Sequence, residues 1–128
     1  MTASPPHRPS PPVPPILVVV SVDPTTSHRA NEAVRIALGV LVGENVVSIA
    51  LVGAGARVLD GSAEDYVDGE DLARHLATLG KLGQRFHVER SAIPDDDTDW
   101  NPSGVVVVPI DRSGLAHLVT ASRRVLVF

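Results

Sequence analysis

From Ile16 onward, short runs of β-branched residues alternate with stretches whose apolar residues recur every three or four positions. The runs are Ile16–Val22, Val46–Val52, Arg85–Glu89, Val105–Val108 and Val125–Phe128. Strand-length runs separated by amphipathic stretches are the signature of a parallel sheet covered by helices. The first, second and fourth runs are almost continuously apolar, as strands buried on both faces are, and they read as central strands. The third alternates Phe86 and Val88 with His87 and Glu89, so one of its faces is expected to meet solvent or another subunit.

The intervening stretches predict three helices. Ala30, Ala33, Val34, Ala37 and Leu41 share one face, opposite Arg29, Glu32 and Arg35, and Gly43 supplies a stop. Leu72, Leu76 and Leu79 mark the second helix, with Asp68 as its expected N-cap and Glu70 and Arg74 four apart. Asp111 can cap a third helix that carries Leu115, Leu118 and Val119. Two connections show no clear period: Gly53–Val67, and Ile93–Gly104 where a regular crossover would place a helix. About 113 residues so arranged bury roughly 60–70% of the unfolded chain's surface, enough to fold independently.

Residues 1–15 differ from this pattern. They hold seven of the eleven prolines and almost nothing that could enter a core, so they are expected to form a disordered tail ahead of an α/β domain at 16–128. The apolar run from Ile16 stops at Asp23 without a cleavage site, and no apolar stretch approaches the roughly 18 residues of a membrane helix. The chain reads as cytoplasmic, with no membrane partner.

Composition narrows the chemistry. Fifteen acidic against eleven basic residues, a net charge of −4 and four aromatic side chains disfavour nucleic-acid binding. Cysteine is absent, which excludes disulfides, thiolate metal sites and a cysteine nucleophile. Gly53 and Gly55 follow the second strand instead of the first, and the third glycine of a dinucleotide fingerprint would fall at Val58. Asp95, Asp97 and Asp99 have calcium-loop spacing, but Trp100 stands at the turn glycine and Val106 at the bidentate glutamate, so a solvated loop is expected. No metal and no cofactor are implied.

Among five scattered histidines, His75 is expected to make a surface pair with Asp71, and His117 to be half buried. His28 lies where the first strand gives way to the first helix, in the loop Asp23–Arg29. Strand carboxyl ends and helix N-termini are where open parallel sheets bind ligands, and anions above all. Asp23, Thr25, Thr26, Ser27, His28 and Arg29 are therefore candidate ligand-binding residues for a small anion, with helix capping as the alternative role. The Asp23 carboxylate would repel an anion unless it points away or pairs with Arg29.

The sequence resembles the DsrE/DsrF-like family, which includes DsrE, DsrF, DsrH and their TusB, TusC and TusD relatives. The resemblance is carried by Asp23–Ala37 after an apolar strand, Val67–Leu79, Gly83–Val88 and Ser122–Phe128. It implies a three-layer α/β/α subunit of flavodoxin-like appearance around a mostly parallel five-stranded sheet. It also implies assembly as a homo-oligomer, a trimer or hexamer. Some members pass persulfide sulfur through a cysteine after the third strand; the matching region here is Glu89, Arg90, Ser91 and Ala92. Without sulfur there is no carrier. The resemblance thus implies a non-catalytic binding or assembly subunit, associated with sulfur-relay proteins, with Glu89 and Ser91 as further candidate site residues. The alternative is a small-molecule enzyme in which His28, with Asp23 or Glu89, moves a proton on an anionic substrate.

Overall fold

The computed structural model describes residues 13–95 and 99–128. Most of the expected tail, together with Asp97 of the acidic loop, lies outside these residues. In chain order the structure contains β1 (Ile16–Val20), α1 (Arg29–Val42), β2 (Val47–Leu51), α2 (Gly69–Lys81), β3 (Arg85–Glu89), β4 (Val106–Ile110), α3 (Arg112–Ala121) and β5 (Arg124–Val127). Short 3-10 turns occupy Gly53–Leu59, Ala63–Asp65 and Arg90–Ala92. All strand pairs are parallel, in the order β4-β3-β2-β1-β5. No helix among the described residues is long and apolar enough to cross a membrane.

Strand alternation sends Val18, Val20, Ile49, Leu51, Phe86 and Val88 to one face, where they pack with Ala33, Val34, Ala37, Leu72 and Leu79 of α1 and α2. The other face presents Leu17, Val19 and Ala50 to Leu115 and Leu118 of α3. The layers are unequal. Two helices cover the inner face, while α3 alone spans the outer one and has no buried residue of its own.

Several expectations change. The fourth run is not central: β4 is an edge strand in which only Ile110 is buried, and Pro109 within it fits an edge because it has no N–H to give a neighbour. The first helix does not stop in a left-handed Gly43, whose φ is −75°; Glu44 takes that conformation at φ 65° and closes the end with Asn45 N–H on the Val40 carbonyl. Asp68 precedes α2 but its carboxylate caps nothing, because its backbone is itself left-handed at φ 53°. Gly69 explains why. A Cβ there would run into the carbonyls of Ala63 and Glu64, so the chain turns sharply to bring α2 against the preceding 3-10 turn. Arg74 pairs with Asp71 instead of Glu70. His117 and Val119 are exposed. Asp111 caps α3 as expected, accepting the Gly114 N–H at 2.8 Å.

Candidate functional site

The chain leaves β1 through a tightly bonded turn. Asp23 Oδ1 accepts from the Thr25 N–H at 2.9 Å and the Thr25 hydroxyl at 2.7 Å, and the Asp23 carbonyl accepts from the N–H groups of Thr26 and Ser27. The Thr26 hydroxyl lies 3.4 Å from that carbonyl, Pro24 is fully buried beneath, and Ser27 Oγ accepts the Arg29 N–H at 3.2 Å. Ser27 thus takes a backbone N–H at the start of α1, while the Thr25 and Thr26 hydroxyls bond within the turn, to the Asp23 carboxylate and carbonyl. His28 stands at the N-cap with helical backbone angles and no capping bond. Its ring is 62% exposed, with Nε2 3.6 Å from Glu32 one turn further on. The Arg29 guanidinium lies 5.8 Å from the centre of the Phe128 ring, within cation–π range.

The charge conflict at Asp23 is resolved by a residue outside the loop. Arg57, on the 3-10 turn after β2, places Nη1 3.7 Å from Asp23 Oδ2 and donates through Nε to Asp60 Oδ2 at 3.2 Å. Its Nη2 donates to the Tyr66 hydroxyl at 3.3 Å, and that hydroxyl donates to Asp60 Oδ2 at 2.7 Å. Ser62 Oγ is 3.1 Å from the same hydroxyl. Hydrogen bonds from Thr25 hold the Asp23 carboxyl below the usual carboxylate range against a smaller opposing effect of burial, and the Arg57 charge adds the least. Hydrogen bonds to Asp60 and Tyr66 hold Arg57 more firmly protonated. Asp23 therefore pairs with Arg57, not with Arg29.

Gly55 makes this arrangement possible. A Cβ at this position would overlap the Val20 carbonyl, so only glycine lets the turn sit on the end of β1. Val52 N–H, at the start of the turn, bonds that same carbonyl at 3.0 Å. Gly55 serves this close packing, while Gly53 holds a left-handed backbone at φ 52° in open space.

Glu89 and Ser91 form a separate pair, with the Ser91 hydroxyl donating to Glu89 Oε1 at 3.2 Å. Glu89 ends β3 and Ser91 lies in the turn after it, and β2 with its turn stands between them and the β1 loop. The structure brings Asp23, Thr25, Thr26, Ser27, His28 and Arg29 together and leaves Glu89 and Ser91 apart. The proton-transfer pairs expected for His28 are not formed. Asp23 faces Thr25 and Arg57, Glu89 faces Ser91, and His28 faces Glu32. Among the described residues no group of three or more His, Asp or Glu side chains could hold a metal ion. Arg57, Asp60 and Tyr66 escape the sequence reading, although the three-residue spacing of Arg57 and Asp60 matches one turn of a 3-10 helix.

The chain is similar to the crystal structure of the ychN protein from E. coli, with a TM-score of 0.67 over 89% of this chain and 98% of that one. The fold is DsrE-like. Identity over the match is 17%, so the likeness carries architecture and no activity. No family model and no curated protein matches the chain.

Proposed function

We propose that this protein is a non-catalytic DsrE-like subunit that works as a homo-oligomer, a trimer or hexamer, and serves binding or assembly beside sulfur-relay proteins. The observation that carries the reading is the thin outer layer of the sheet. One ten-residue helix covers it, and Val106, Val119, Val125 and Val127 remain 52%, 41%, 37% and 62% exposed. Val125 and Val127 lie on β5 and Val106 on β4, the two edges of the sheet, and exposed apolar side chains on a thinly covered layer are the kind that a symmetric partner buries. The non-catalytic part rests on chemistry: Glu89, Arg90, Ser91 and Ala92 hold no sulfur, and neither does any other residue except the single methionine.

The enzyme reading has less support, since His28 is well exposed and its near carboxylate is Glu32 on the same helix. A ligand at the strand ends would be a small anion. The Arg57 guanidinium offsets the Asp23 charge there, and Arg29 stands at the positive end of α1.

The test is substitution on the outer face. Val125→Lys with Val127→Lys should reduce the sedimenting species to the mass of one 13.5 kDa chain while the circular dichroism spectrum stays that of the parent. An unchanged mass in the folded double variant would count against this face as the interface.

A further inference from the structure

The described residues of the crossover from β3 to β4, 90–95 and 99–105, form no α-helix, and space remains beside the flank of α2. A cavity of about 500 Å³ lies along it, with Ala73, Leu76, Ala77 and Gly80 on one side and Val58 and Val105 among the residues facing them. We propose that this cavity binds a neutral, apolar small molecule.

Size and polarity both point to that class. Small-molecule sites span about 300–1,000 Å³. From Ala73 to Gly80 is seven residues, or about 10 Å of helix, which sets the length of the occupant.

The polar side chains in the lining are largely committed within the protein. Asp60 holds Arg57 and Tyr66. Asn101 accepts the Val105 N–H at 3.1 Å and donates to the Val105 carbonyl at 3.0 Å. Glu64 and Lys81 are exposed and of opposite sign, so the rim favours neither an anion nor a cation. Recognition then comes from burial of apolar surface, not from hydrogen bonds.

The test uses the full chain and N-phenyl-1-naphthylamine, an uncharged dye whose emission rises in apolar surroundings. Saturable binding is expected, weakened at least tenfold by Ala77→Trp or Ala73→Phe, each of which fills the cavity. Val42→Ser, exposed on α1 and outside the cavity lining, should leave affinity within twofold. Dye-induced shifts of the Gly80 and Ser103 amide resonances in the unsubstituted chain give a readout that survives misfolding of either variant. The proposal is overturned by absence of saturable emission, by affinity that persists in both filled variants, by amide shifts confined to other regions, or by loss of binding in Val42→Ser.

Discussion

His75 Nδ1 on α2 lies 3.1 Å from Asn31 Oδ1 on α1, joining the two inner helices through a polar pair. Asn31 is 8% exposed and is the one buried polar side chain among the described residues. The sequence places His75 on a polar face beside Asp71, but Asp71 is taken by Arg74 and the imidazole turns inward. A half-made pair is worse than none, because a buried group left unsatisfied costs about 1–3 kcal/mol. Asn31→Leu alone should therefore destabilise the protein by about that amount, whereas Asn31→Leu combined with His75→Leu should recover most of the loss. Urea titrations of the two singles and the double give the coupling directly.

Acid should weaken the fold before carboxylates titrate. Burial, then the charges of Arg74 and Arg35, lowers the His75 pKa below its ordinary 6.5. Burial and Arg85 do the same at His87, whose Nδ1 is buried without a hydrogen bond. The folded state then binds fewer protons than the unfolded chain just below pH 6.5, so unfolding is favoured as protons are added. The contribution of both residues is complete above pH 6.5 and falls as pH drops through their folded-state pKa values. Urea midpoints should decrease from pH 7.5 to pH 5, and His75→Gln should flatten the decrease.

The two glycines after β2 should respond differently to alanine. At Gly55 the added methyl meets the Val20 carbonyl, a backbone atom that cannot step aside, and the loss should exceed about 3 kcal/mol. At Gly53, with φ 52° and open space around it, only the left-handed backbone resists, at about 1–2 kcal/mol. Thermal unfolding of Gly55→Ala and Gly53→Ala separates the two effects.

Two helix ends share one motif with different residues. α2 closes through Gly83 at φ 76°, with Gln84 N–H on the Leu79 carbonyl, and α1 closes the same way through Glu44. Glutamate carries the left-handed cost that glycine avoids. Glu44→Gly should stabilise the protein by about 0.5–1 kcal/mol, as a higher urea midpoint with unchanged slope.

Strands and helices were legible because β-branched runs and three-to-four spacing report directly on burial. Their order in the sheet was harder to read. The valines of β4 look central, yet a continuous apolar run arises equally at an edge whose faces are only partly covered; Pro109 was the available cue. The site was half legible. Thr25, Ser27 and Arg29 announce a strand-to-helix turn, but the partner of Asp23 comes from a stretch without helical period, because 3-10 geometry brings Arg57 and Asp60 together at a spacing of three. Nothing in the sequence marks Asn31 as the partner of His75, since 44 residues separate them and only the packing of α1 on α2 brings them together.

The central claim is that this chain assembles with copies of itself through the outer face of the sheet. Sedimentation equilibrium of the unsubstituted protein at micromolar concentration tests it most directly. The account predicts a mass of three or six times 13.5 kDa. A single species at 13.5 kDa across the concentration range would contradict it.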